Sequence, residues 1–256
     1  GHFGVLSSAA LAATGTPDMH GNGYLEENTY IEAAKKVPLP GANRLISAYR
    51  EAQRRYASYG ITTIQEGMLI SQMLPLYQML LHEDLLYLDV VGYPQIADAD
   101  LFYHAFPDHI SEYHQHFRLG GYKIILDGSP QGRTAWMKTP YMNAVQPDSS
   151  SSAFAQFGVS TMTDEAVTEA LNLAVRTHRQ LLAHCNGDAA AEQYLSCAEA
   201  VPDQDALAAI RPVMIHAQLL ALDQLDRVKA LGMIPSFFTA HSYHWGDIHI
   251  QNFGPE

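Results

Sequence analysis

Cysteine is nearly absent: Cys185 and Cys197 are the only two in 256 residues, and no C-x-x-C pair occurs. That excludes a disulfide framework, a cysteine zinc knuckle and a dithiol redox centre, and the sparseness fits a reducing, cytoplasmic setting. Basic residues are scarce as well. Fifteen Lys and Arg face 27 Asp and Glu, for a formal net charge of −12, and no Lys/Arg-rich run exists. Nucleic-acid affinity draws largely on clustered positive charge, so nucleic acid is excluded as a partner. No apolar run is long enough to span a bilayer, so a membrane partner is excluded too. Charged residues make up only 16% of the chain against 47% apolar, which is a globular rather than a disordered composition. What is plentiful is histidine. Thirteen copies nearly match all Lys and Arg together, and imidazole is both a common metal ligand and an acid–base group.

From residue 43 onward, short apolar runs alternate with amphipathic stretches. Asn43 is placed to cap a helix carrying Leu45, Ile46, Tyr49, Ala52 and Tyr56, which Gly60 ends. Strands are predicted at Ile61–Glu66, Leu86–Gly92, Tyr122–Leu126, Leu181–His184, Val213–His216 and Met233–Phe238. Between them lie helices near Gln72–His82, over Asp98–Arg118, after Thr163, from Asp188 to Ala200 with Asp188 as cap, and from Leu222 to Leu231. Six strands separated by helices imply parallel βα units. Residues 1–42 read as a lid-like loop, holding His2 and His20, with a short helix near Ser7–Ala13. Residues 139–162, with serine at 149–152, read as a long connection. No break divides 43–256 into two domains.

Strand alternation converts this pattern into geometry. Tyr122, Ile124 and Leu126 share the face that packs on helices, so Lys123 and Asp127 point inward. His184 shares a face with Leu182, His216 with Met214, and Glu66 with Ile64. Ionisable groups at the ends of four strands are what a barrel active site requires. A lone strand-end histidine is more often structural than a ligand, and Glu66 equally well serves a loop. An inward lysine is harder to dismiss, because it loses hydration and needs a partner or a modification. Converted by carbon dioxide to a carbamate, Lys123 joins His184 and His216 as a nitrogen and oxygen ligand set for a divalent cation. Such a site leaves a position where water becomes the nucleophile. Asp127, Ser129 and Arg133, just past the third of these strands, either line a substrate pocket or tie down the loop. His241 and His244, with Tyr243 and Trp245, crowd the loop after the last strand. His114 and His116 read as surface residues, and Cys185 faces away from His184.

The motifs Gly60-Ile61-Thr62-Thr63-Ile64-Gln65-Glu66-Gly67, Gly121-Tyr122-Lys123 into Asp127-Gly128-Ser129, and Arg133-Thr134-Ala135 resemble a known family. So do His184-Cys185-Asn186-Gly187-Asp188-Ala189-Ala190, Ile215-His216-Ala217-Gln218, and Ser236 through His241 to Trp245-Gly246-Asp247. In order and spacing they are similar to the metal-dependent amidohydrolases, specifically amidohydrolase family 3, the YtcJ-like branch. The resemblance runs back to Gly1-His2 and Gly23-Tyr24-Leu25-Glu26-Glu27.

It implies an α/β fold, a TIM-type (β/α)8 barrel of which this chain carries strands two to seven, as one partial domain over residues 1–256. Strand one with its His-x-His pair, strand eight with its acid, and any flanking β-sandwich are expected outside the sequence. The implied activity is hydrolysis of a non-peptide C–N bond, amide or formamide in type, by metal-activated water. Lys123, His184 and His216 are the implied catalytic and metal-holding residues; Glu66, Asp127, Ser129, Arg133 and His241, read from their own positions, are the substrate-binding candidates. Zinc is the default metal, one or two ions in the full-length enzyme, with iron, manganese and nickel left open. The segment alone is expected to be inactive. A small amide-type molecule is the expected partner, with homo-oligomerisation possible. The competing readings are a non-catalytic or regulatory barrel protein, and another metal-assisted barrel enzyme such as an isomerase or lyase.

Overall fold

The computed structural model describes residues 3–18, 21–38, 40–110, 112–143 and 154–255; His2, His20 and the serines at 149–152 lie outside them. A small antiparallel pair, β1 (Phe3–Val5) and β2 (Tyr24–Glu26), stands apart from two parallel sheets. The first sheet is β3 (Thr63–Leu69), β4 (Asp89–Pro94) and β5 (Phe117–Leu119). The second is β6 (Gly121–Ile125), β7 (Gln180–Cys185), β8 (Val213–His216) and β9 (Ile234–Phe237).

One bent strand joins the two sheets. Only Gly120 separates β5 from β6; β4 pairs with β5 along Val90–Gly92 and then reaches β6 through the Gln95–Lys123 bridge. The glycines make the bend possible. A Cβ on Gly120 would lie 2.6 Å from Val91 Cγ1, and one on Gly121 would strike the Gln180 carbonyl. Counted by position, six parallel strands therefore follow one another, as the alternating pattern predicts.

Two apolar layers flank them. Val90, Phe117, Tyr122, Ile124, Leu181, Ala183 and Met214 pack outward against helices, among them Asp164–Arg176 and Asp188–Glu199. Val91, Tyr93, Leu182 and Val213 form the opposite, inner cluster. The helix Asp164–Arg176 shows why the sequence folds this way. Thr163 Oγ1 accepts from the Ala166 N–H, Asp164 and Glu165 occupy the first turn, and Val167, Ala170, Leu171 and Ala174 make one buried stripe. Among the described residues, β3 and β9 each pair on one side only. No described helix is long and apolar enough to cross a membrane.

Several expectations need correction. Residues 1–42 hold the β1–β2 pair and a second helix, Glu27–Lys35, because Leu11, Leu25 and Ala33 give this segment a small core of its own. Asn43 does not cap its helix, which begins at Ala42 behind Gly41. The helix expected over Asp98–Arg118 stops at Ala105, since Pro107 cannot continue it, and the chain then enters β5. His241, Tyr243, His244 and Trp245 lie not in a loop but on a helix, Ala240–Phe253, broken in direction at Trp245.

Gln53 is a fold determinant that apolar periodicity does not reveal. It is fully buried on the helix Ala42–Ser58; its Nε2 donates to Leu85 O, and its Oε1 accepts from the backbone N–H groups of Tyr87 and Leu88. The side chain thus replaces a missing strand partner just before β4. Gln53→Ala strands one buried and two part-buried backbone groups and is expected to cost about 1–3 kcal/mol, read as a lower urea midpoint at unchanged m-value. A loss under about 0.5 kcal/mol, the size of an ordinary surface substitution, would show that these groups need no side-chain partner.

Candidate active site

The site is built at the C-terminal ends of β6, β7 and β8. Leu126 donates to the His184 carbonyl, extending the β6–β7 ladder by one step and delivering Asp127 to the sheet's end. The Asp127 carboxylate is fully buried and accepts three backbone N–H groups: Asn186 at 3.0 Å, Gly187 at 2.7 Å and Trp136 at 3.1 Å. It therefore ties the turn after β7 to the loop after β6, the second of the two roles open to it from sequence. The turn admits only glycine at 187, where a Cβ would strike the Trp136 carbonyl. Asp188 is not the cap expected of it. Gly187 holds the cap position, and Asp188 Oδ1 instead accepts from Lys138 N at 2.8 Å. Lys138 also pairs with Glu192 at 2.7 Å, which Arg227 holds from the other side at 2.6 Å. These two cations pull the Glu192 carboxyl down to about 2.

His184 is buried at the end of β7, with Nε2 3.0 Å from Gly128 O and 3.6 Å from Asp127 Oδ1. These two neighbours are acceptors, and the third, Asn186 Nδ2 at 3.1 Å, has an acceptor of its own in Gly128 O. The proton therefore belongs on Nε2, and Nδ1 is the nitrogen that keeps a lone pair for a cation. His216 comes within 4.7 Å of it, ring centroid to centroid, edge to face.

Simple alternation does not explain that contact. Val213 and Ile215 lie with the inner cluster and Met214 with the outer one, so His216, sharing Met214's parity, belongs among the helices. Positive φ values of 77° at His216 and 45° at Ala217 break the pleat and bring the imidazole round to His184. Left-handed backbone at two successive non-glycine residues is strained, and strain of this kind gathers at functional sites.

Lys123 points inward as expected. It pairs with Leu182 across the β6–β7 ladder, one inner position before the Ile125–His184 pair. Only 6% of it is exposed, and burial lowers its ammonium to about 8. Cys185 packs in the outer layer, where burial drives its thiol well above the usual range.

The remaining candidates separate. Ser129 is buried and its Oγ meets no partner among the described residues, while its backbone is fixed by Thr134. Arg133 turns outward to Asn143 O at 3.1 Å. Glu66 is opposite Gly92, whose missing side chain would meet Leu69 and Phe117, so it lies on the helix-facing side. Burial raises its carboxyl, and its charge is felt by Tyr49 and Tyr77. His241 is buried with Nδ1 3.1 Å from His249 Nε2, between Phe238 and Trp245. His114 and His116 are exposed, and His116 pairs with Asp89 at 2.8 Å. Asn186 and Gly128 adjoin His184 and Asp127 in the structure; both stand in the motifs that carry the resemblance, but sequence reasoning gave them no role.

As a metal centre this set is partial. Among the described residues no three His, Cys, Asp or Glu side chains gather in a group able to hold an ion. Two adjoining imidazoles and a lysine fit one part of such a site, with the amine a ligand only after conversion to an oxygen-bearing group.

The depressed Lys123 ammonium has a consequence for stability. Folded near 8 and unfolded near 10.5, the group binds its proton more tightly in the unfolded chain, so its burial penalty fades as pH rises through that window. The buried thiols of Cys185 and Cys197 act in the opposite sense over the same range, so the contribution is read as a difference: in carbon dioxide-free buffer, the stability of the wild type relative to Lys123→Met is expected to climb from pH ~8 to ~9.5, below the tyrosine range. Denaturant unfolding at stepped pH measures it; parallel curves would show that Lys123 is not buried as a cation.

Comparison with known proteins agrees with this architecture. Residues 1–255 match the family profile described as Amidohydrolase family (Amidohydro_3). YtcJ of Bacillus subtilis (strain 168), an amidohydrolase by name, is 30% identical over 131 residues, which cover 50% of this chain and 22% of that protein. Two crystal structures of uncharacterized metal-dependent hydrolases share the fold. The Pyrococcus furiosus protein has a TM-score of 0.73 at 20% identity, over 99% of this chain and 52% of that one. The Pyrococcus horikoshii OT3 protein gives 0.72 at 20% identity, over 99% and 50%. The chain thus spans about half the length of these solved relatives. With the family profile matched along nearly its whole length, this chain belongs to the amidohydrolase family.

Proposed function

We propose that the six parallel strands are the second to seventh of a (β/α)8 barrel. The full-length protein is then a metal-dependent hydrolase cleaving a carbon–nitrogen bond other than a peptide bond, in a small amide- or formamide-type substrate. The observation that carries this reading is Lys123, buried one layer beneath an edge-to-face His184–His216 pair. A lysine amine lowered to about 8 has an appreciable neutral fraction near physiological pH. The neutral amine adds to carbon dioxide and releases a proton, leaving a carbamate with two oxygen donors. Carbamylated Lys123, His184 and His216 would hold the cation, zinc by preference for this donor set. When bound, the metal supplies Lewis acidity and makes water a nucleophile near neutral pH.

The protein's own contribution is orientation. Asp127 and Gly128 O set the His184 tautomer, the left-handed turn at His216 sets the second imidazole, and the inner cluster of Val91, Tyr93, Leu182 and Val213 keeps the floor dry. Of the substrate-facing candidates, Ser129 is best placed, because its buried hydroxyl has a hydrogen bond to offer. Arg133 is engaged by Asn143 O and His241 by His249, and Glu66 lies on the helix-facing side.

Metal analysis of the full-length protein, with a panel of chromogenic N-acyl and N-formyl amides, tests the proposal. Lys123→Ala and His216→Ala are expected to lose bound metal and to reduce turnover by more than the about 100-fold that loss of a mere supporting residue costs. Unchanged metal content and turnover in both variants would refute the assignment. A wild-type protein without metal or turnover would instead favour a non-catalytic barrel.

A further inference from the structure

Asn186 is 97% buried in a position where its side chain is expensive. Its Oδ1 meets no donor among the described residues. An unsatisfied buried amide oxygen is destabilising, and a leucine or methionine of similar size would avoid that loss. The other end of the side chain has to offset it. Asn186 Nδ2 lies 2.7 Å from Gly128 O, which fixes the orientation of the carboxamide, since the reverse would set two oxygens against each other. The same Nδ2 is 3.1 Å from His184 Nε2, and that nitrogen is 3.0 Å from the same Gly128 oxygen. The three atoms make a triangle with one acceptor. Asn186 Nδ2 carries two hydrogens, but giving the second to a bare Nε2 would set the imidazole lone pair against the Gly128 oxygen at 3.0 Å and Asp127 at 3.6 Å; with the proton on Nε2, the two lone pairs of Gly128 O receive Asn186 and His184 together.

We propose that Asn186 is a positioning residue: by donating to the Gly128 carbonyl it keeps that carbonyl against His184 Nε2, and so decides which imidazole nitrogen keeps its lone pair. This rests on the reading that His184 offers Nδ1 to a cation, but the inference concerns the imidazole itself and can be read without metal. The backbone around the triangle is held independently. Asn186 N donates to Asp127, and Asn186 O accepts from Leu219 N at 2.8 Å. A change at the side chain therefore leaves the turn's main-chain bonds in place.

The test is nitrogen-15 NMR of histidine-labelled, metal-free full-length protein at pH about 8, where an ordinary imidazole is neutral. His184 is expected to show a pyrrole-type Nε2 and a pyridine-type Nδ1 in the wild type. Asn186→Leu, which removes the donor, and Asn186→Asp, which opposes an oxygen to Gly128 O, are expected to give a mixture of tautomers. Zinc alone, titrated into the same variants, is expected to bind about 10–100-fold more weakly. A wild-type His184 protonated on Nδ1 overturns the proposal without any variant, so a folding failure in one substitution does not shelter it. Unchanged tautomers in both folded variants overturn it as well. Tautomer mixing in the variants of a wild-type protein that does not bind zinc supports the role of Asn186 while removing the metal reading above it.

Discussion

The buried carboxylate of Asp127 is the constraint on which the site depends. A carboxylate removed from water must be compensated, and here the compensation comes from backbone N–H groups on two different loops. The same group that solves its own desolvation problem thereby fixes the distance between the loop after β6 and the turn after β7. His184 inherits its orientation from that arrangement, and the Glu192 pairing with Lys138 and Arg227 braces the same loop from the solvent side. Side chains engaged with the backbone and with one another thus determine how closely the donors converge.

The second constraint is the bend at Gly120–Gly121. It lets one strand serve both sheets, pairing first with β4 and then with β7, and it turns Lys123 into the interior at the point where the inner cluster begins. Through it the sheet that holds the lysine and the histidine pair stays in register with the sheet of β3, β4 and β5.

Much of this was legible in the sequence, for identifiable reasons. The six strands announced themselves because each is short, β-branched or aliphatic, and bounded by glycine or helix-capping residues; Lys123 and His184 followed from alternation because β6 and β7 are regular. Alternation failed where the backbone is irregular. His216 reaches the site through left-handed φ values that no residue type at that position signals; Glu66 does share the face of Ile64 as alternation has it, but that face of β3 turns to the helices. Asp127 was identified as important, but its partners are main-chain groups, which carry no sequence signature. Gln53 and Asn186 were invisible for a related reason: each satisfies carbonyls or N–H groups supplied by whatever residue happens to stand there.

The one-sided pairing of β3 and β9 carries a consequence for handling the chain. Among the described residues each offers a row of main-chain donors and acceptors along its outer border, and the end of β9 adds Phe237 and the following Phe238, 55% and 40% exposed. Such borders recruit further strands. Clustering of this polypeptide in isolation would accordingly report ribbon-to-ribbon addition at those two margins, and only assemblies that persist once both margins are covered describe how the whole protein associates.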